Sequence, residues 1–330
     1  MIEEIAGNVY KVVVPLPIPV VGSMNSYVIV DRDRSLIVDP GMAHDLCFDA
    51  VRAAVDELGL DLDKVDFFMT HHHLDHFGLV SRIMADRSVI YIHRAEAMLI
   101  ERIASRALLA DLTHLLHAMG FPEKDPEKVL PELLGEEYRA RKPWPFRYVD
   151  EGDTIERGGL RFRCLVTPGH SVAHVCLYEP NRAILLSGDA VSPVIQFVSA
   201  TGNPLQDHLE SFSRLDRLNI ALALPGHRSA FADIGQRIEQ LRAHHEARND
   251  AVLAALKDGG KDAYQLAAGM TWSMPDSGDW ETAPEVLKFL AVRDCFARLL
   301  YLEARGRAHK ETRTQAWVYS LTQGQTRDEV

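Results

Sequence analysis

Residues 70–78 read THHHLDHFG and place four metal-binding side chains within six positions: His71, His73, Asp75 and His76, in the pattern H-x-H-x-D-H. Imidazole nitrogen and carboxylate oxygen suit Zn²⁺ and similar divalent ions. The segment directly follows VDFFMT, an apolar run that reads as a buried strand. If the strand's two-residue period continues through residues 71–73, His71 and His73 project to one side. Asp75 and His76 then fall on the turn or first helical residues beyond, where they can face a second metal. A solvated His-rich turn is the alternative; a complete H-x-H-x-D-H directly behind an apolar strand argues against it.

Three further segments repeat the design. LVTPGHS puts His170 beyond a strand, LLSGDA puts Asp189 at a strand end, and ALPGH puts His227 beyond another. Open α/β sheets commonly carry functional groups at one end of their strands. Gly169, Gly188 and Gly226 precede these side chains and allow sharp turns and close backbone approach. Each segment alone is weak; together and in this order they are specific.

This constellation resembles the metallo-β-lactamase superfamily over residues 1–232, apart from a helical insertion at about residues 95–145. The resemblance implies an α/β fold, a four-layer αββα sandwich with metals at one edge of two sheets. It also implies a ligand set. His71, His73 and His170 match the ligands of one ion; Asp75, His76 and His227 match those of a second; Asp189 matches the carboxylate that bridges both. Two divalent ions are expected, with zinc first, and iron or manganese accepted by the same donors. The bridging aspartate and the segment GHSVAHVCLY are similar to the glyoxalase II and thioesterase-like branch, which carries such residues alongside lactonases and nucleases.

A two-metal site makes a hydroxide available near neutral pH. Oriented by Asp75 and Asp189 as catalytic carboxylates, it would attack a carbonyl, and the ions would stabilise the oxyanion that forms. The expected reaction is hydrolysis of an acyl thioester or ester on a hydroxyacylglutathione- or acyl-CoA-like small molecule. A nuclease or phosphodiesterase and a lactonase are the alternative enzymes. A metal-binding regulator without turnover is a third class, and the intact ligand set argues against it. By the family pattern Asp39, in VDPG, orients the ligand loop and His174 is a non-ligand histidine. His72, between two ligands, is expected to point away from them. His244 and His245 read either as substrate contacts or as a solvated helix face.

The elements that must position this chemistry are legible as apolar runs. Strands are predicted at 9–15 and 26–31, with the apolar loop LPIPVVGSM between them, and again at SLIV, RFRCLVT, VCLYE, AILLSGD and IALALPG. Helical spacing runs from Asp45 to Leu60. In the insertion, Leu112, Leu115, Leu116 and Met119 fall at i, i+3, i+4 and i+7 on one face. That face is expected either to cap an apolar substrate pocket or to pack as an extra layer. Residues 233–330 read as a second, helical and winged-helix-like domain: three helices, then two strands around a polar turn.

Composition narrows the partners. A net charge of -11 and the balanced acids and bases of the third C-terminal helix oppose nucleic-acid binding. That domain therefore reads as a packing or oligomerisation element, with a homo-oligomer as one outcome. No apolar run approaches the ~20 residues of a membrane span. Cys47, Cys164, Cys176 and Cys295 are scattered without a CxxC pair. With an acidic, strand-like N-terminus, the chain reads as a cytoplasmic enzyme without a signal peptide.

Overall fold

The computed structural model describes residues 2–18, 21–130, 136–140, 143–272 and 279–322. The predicted loop at 16–24, the insertion at 95–145 and the C-terminal unit therefore each extend in part outside the described residues.

Among the described residues, seven strands form a first sheet in sequence order: β1 (Ile2–Ala6), β2 (Val9–Pro15), β3 (Ser23–Ile29), β4 (Ser35–Val38), β5 (Val65–Phe68), β6 (Ile90–His93) and β7 (Phe146–Val149). Pairing is antiparallel from β1 to β4 and parallel from β4 to β7. Parallel neighbours need crossovers. These are α1 (Asp45–Glu57), the short α2 (Leu74–Phe77) and α3 (Val80–Ile83), and then the insertion helices α4 (Arg94–Ala104), α5 (Leu109–Ala118) and α6 (Pro126–Val129).

The second sheet contains β8 (Thr154–Arg157), β9 (Leu160–Val166), β10 (Val175–Glu179), β11 (Ile184–Gly188) and β12 (Leu222–Pro225), in spatial order β12-β11-β10-β9-β8. Here α7 (Pro204–Leu215) is the crossover between the parallel strands β11 and β12. The chain ends with α8 (Ile234–Ala255), α9 (Ala263–Ala268), α10 (Glu285–Ala304) and the hairpin β13 (Ala308–Arg313)–β14 (Ala316–Leu321).

Strand alternation sorts the apolar side chains into layers. Leu36, Val38 and Phe68 of the first sheet face Phe162, Val175, Leu177 and Leu186 of the second, and this is the inter-sheet core. Ile37, Val65 and Phe67 point the other way, onto α1 and the insertion helices. Leu165, Cys176 and Leu185 leave the opposite face and meet α7 and α8. Helix, sheet, sheet, helix is the αββα sandwich the sequence implies. Burying one such side chain contributes about 1.5–3 kcal/mol, so the alternation fixes the register of every strand.

The insertion's apolar face is wholly occupied. Leu112, Leu115, Leu116 and Met119 are fully buried in a cluster that also holds Leu266, Phe289 and Phe296 of the C-terminal helices. Phe121 sits 5.3 Å from the Tyr264 ring and 6.3 Å from Phe289. The described part of the insertion thus packs against the C-terminal unit, through α6 on α10 and α5 on β14. No helix among the described residues is long and apolar enough to cross a membrane.

Candidate metal centre

The strands deliver their functional side chains at their C-terminal ends, all on one edge of the sandwich. After β5 the chain stays extended, with Met69 N–H donating to Tyr91 O, and carries His71 and His73 to the same side. His73 then caps α2, whose first turn supplies Asp75 and His76. His170 follows β9, Asp189 follows β11 and His227 follows β12.

Seven side chains converge there. His71 Nε2 lies 2.7 Å from His73 Nδ1, and His170 Nε2 lies 3.3 and 3.2 Å from those two atoms. Donors around one tetrahedral zinc at ~2.0–2.1 Å stand roughly 3.3 Å apart, so this triangle has the dimensions of an ion's ligand face. Beside it, Asp75 Oδ2 is 3.3 Å from His227 Nε2 and 3.8 Å from His76 Nε2. Asp189 Oδ2 lies between the groups, 3.5 Å from His170 Nε2 and 3.7 Å from both His76 Nε2 and His227 Nε2. Each of the groups His71–His73–His170, His71–His76–Asp189 and Asp75–His76–His227 could hold a metal ion.

The rings are aimed by their far nitrogens. His170 Nδ1 donates to Val194 O at 2.9 Å and His227 Nδ1 to Ser23 O at 3.2 Å. His76 Nδ1 donates to Asp39 Oδ2 at 2.9 Å. Thr70 O–H also donates to Asp39 Oδ2, at 2.7 Å, which leaves Thr70 Oγ1 to accept from His71 Nδ1 at 2.9 Å. These partners select the tautomer that keeps the Nε2 lone pair free. Lone pairs so aimed suit a cation between them. His76 Nε2 is the clearest case: it is buried and has no hydrogen-bond partner. The residues present therefore fit a divalent metal centre.

Charge divides the site. Burial, reinforced by neighbouring imidazoles, holds His71 and His73 well below the usual histidine range, and burial lowers His170 as well. Burial also opposes protonation of His76, yet Asp75, Asp39 and Asp189 outweigh it and push the ring up to about 10. At Asp75 burial is outweighed in turn by His76 and His227, which hold its carboxyl far below the usual range. A neutral imidazole group thus adjoins a strongly cation-seeking one.

Backbone detail supports the convergence. Asp39 adopts φ 51°, a left-handed conformation uncommon for a non-glycine residue. It ends β4 so that one carboxylate reaches both Thr70 and His76. A Cβ on Gly226 would stand 2.7 Å from Asp189 Oδ1 and 2.9 Å from His76 Cε1, so only glycine permits this approach.

The flanking histidines have structural partners. His174 accepts from Asp189 N–H at Nε2 (3.1 Å) and meets Thr167 Oγ1 at Nδ1 (3.0 Å), so it positions the aspartate loop. His72 turns away and binds Glu96. His245 is neither solvated nor in the metal cluster; it is buried behind the site, 5.7 Å from the His208 ring and beside Arg298.

Two buried charges were not found from sequence. Glu96, on α4 and fully buried, accepts from Ser171 Oγ and Ala173 N–H at 2.7 Å each, and from His72 N–H at 3.1 Å. It therefore ties the insertion to both histidine loops. Arg293, on α10, is bonded to Gln196 of the loop over His170. Their spacing carries no motif, because their partners come from distant segments.

The chain matches the family profile described as the metallo-beta-lactamase superfamily over residues 19–227, more than half its length, and belongs to that superfamily. A metallo-beta-lactamase family protein from Thermus thermophilus superposes with a TM-score of 0.79 at 28% identity, covering 96% of this chain and 99% of that one. Among curated relatives, an uncharacterized Aquifex aeolicus protein is 28% identical over 51% of this chain and 65% of its own. An acyl-coenzyme A thioesterase of Gallus gallus is 26% identical over 67% of this chain and 77% of that protein. The alignments span only about half to two thirds of the first curated relatives, 65%, 58% and 45% for the Aquifex protein, an Aspergillus niger lactamase-like protein and an Aspergillus fumigatus thioesterase.

Proposed function

We propose that the chain is a metal-dependent hydrolase of acyl thioesters or related esters. The observation that carries this is the convergence of seven donors, four of them buried histidines, with their rings pre-aimed. On this reading His71, His73 and His170 would hold one divalent ion and Asp75, His76 and His227 a second, with Asp189 available to both groups. Divalent ions held there would supply, when bound, an activated water at neutral pH and charge stabilisation for the substrate's carbonyl oxygen. Asp75 and Asp189 would orient that water. A thiol leaves readily as thiolate, its pKa being about 8.5, so the arrangement needs no strong general acid. Outer partners Asp39, Thr70, Val194 and Ser23 hold the rings in place.

The thioester class is favoured by the Gallus gallus relative, whose name states that activity. A nucleic-acid substrate is disfavoured because Lys288 and Arg298 on α10 are buried and already paired with Glu285 and Asp294. The catalytic unit is residues 1–232 with its insertion at about 95–145, and residues 233–330 form a helical unit bordering the site. A panel of a thioester, a lactone, a β-lactam and a phosphodiester, assayed with zinc, manganese or iron, tests the reading. Thioester turnover lost on chelation supports it; phosphodiester turnover alone replaces it with the nuclease reading.

A further inference from the structure

Arg293 is 3% exposed, yet its charge has no carboxylate within ion-pair distance among the described residues. Guanidinium has five N–H donors. One, on Nη2, is used, donating to Gln196 Oε1 at 2.7 Å; Nε is buried with no partner. An uncompensated buried charge is costly, so this arginine is retained for something the free chain does not show.

Its position points to the active site. Gln196 N–H donates to His170 O at 2.9 Å, so Arg293 is two hydrogen bonds from a proposed ligand. The Phe289 ring, 5.0 Å away, closes one side of the guanidinium. Neighbouring cations have carboxylate partners: Arg298 and Arg248 share Asp294, and Lys288 pairs with Glu285. Arg293, without such a partner, offers a positive charge in a planar fork that pairs bidentately with a carboxylate.

We propose that Arg293 is a specificity residue whose guanidinium binds a carboxylate of the substrate, carried on either the acyl part or the thiol part. This rests on the thioester reading above and names the substrate class within it: thioesters that carry a free carboxylate. It also gives the C-terminal helix a role in recognition.

The test compares three thioesters on the metal-loaded chain: hexanoyl-N-acetylcysteamine, which is uncharged; adipyl-N-acetylcysteamine, with a carboxylate on the acyl part; and hexanoyl-glutathione, with carboxylates on the thiol. The wild-type chain is expected to prefer one anionic arm over the uncharged thioester in kcat/KM. Arg293→Met should shrink that ratio by ~10–100-fold, the worth of one charged hydrogen-bonded contact. Arg293→Lys, which keeps the charge without the fork, should shrink it less. A wild-type chain with no preference for either arm overturns the proposal, whatever the variants do. So does an unchanged ratio in Arg293→Met with normal metal content. If no thioester is turned over, the thioester reading fails, and calorimetry with adipate against hexanoate still decides the role of Arg293. Tighter adipate binding that Arg293→Met abolishes upholds carboxylate recognition; equal binding in the wild-type chain refutes it.

Discussion

Replacing Asp39 by asparagine tests the proposed metal centre without touching a ligand. Asp39 Oδ2 accepts two hydrogen bonds, from Thr70 Oγ1 at 2.7 Å and His76 Nδ1 at 2.9 Å, while Oδ1 accepts from Thr70 N–H at 2.9 Å. Asparagine keeps the size and tolerates the φ of 51°. Its amide can keep one oxygen in place, but its NH₂ then faces donors. At least one charge-assisted bond is lost, and such bonds are worth about 1.5–3 kcal/mol. His76 loses its orientation and Thr70 no longer fixes His71. Removal of such an outer partner typically costs ~10–100-fold in metal affinity. The assay is graded chelator dialysis followed by elemental analysis, with circular dichroism melting alongside. Asp39→Asn should release the ion of the His76 group at ~10–100-fold lower chelator than the wild-type chain. An Asp39→Asn chain that keeps its metal at wild-type chelator concentrations, folded as before, refutes the argument that Asp39 aims the ligands.

Three other outcomes follow from the same geometry. Asp189→Asn or Asp189→Ala should abolish most turnover on any accepted substrate while the melting curve stays cooperative; unaltered turnover would make Asp189 only a turn residue. Leu116→Ala should cost about 2–5 kcal/mol of stability, as a fully buried leucine does, with unchanged acyl-chain-length preference in kcat/KM; a shift in that preference at constant stability would restore the substrate-cap role. Glu96 has its carboxyl lowered in the folded chain: burial opposes this, and His72, Ser171 and Ala173 outweigh it. A depressed folded value means the stabilisation is complete above the unfolded value of about 4.3. It is lost as pH falls through the lower folded value. Glu96→Gln should therefore be less stable at neutral pH and lose part of this acid dependence in urea titrations between about pH 3 and 6; identical pH curves would mean that Glu96 is uncharged or irrelevant.

The sandwich and the ligand candidates were legible because both are local in sequence. An apolar strand and the His or Asp just past its end are contiguous, so VDFFMT–HHHLDH, LVTPGH, LLSGD and ALPGH each announce an element and its cargo. The family resemblance supplied the sharing of Asp189, which spacing alone does not. What stayed hidden depends on contacts between remote segments. Glu96 reaches Ser171 and Ala173 some 75 residues on, and Arg293 meets Gln196 across 97. The apolar face of α5 gave the right helix but not its partner. Periodicity shows that a face is buried, and only the fold shows which distant residues share its cluster.

The central claim is that these seven side chains form a two-metal hydrolytic centre. Elemental analysis of chain purified without chelator, paired with thioester turnover before and after metal removal, tests it most directly. Close to two divalent ions per chain are expected, with loss of turnover on chelation and its return when the ions are restored. Metal-free chain with full turnover would contradict it.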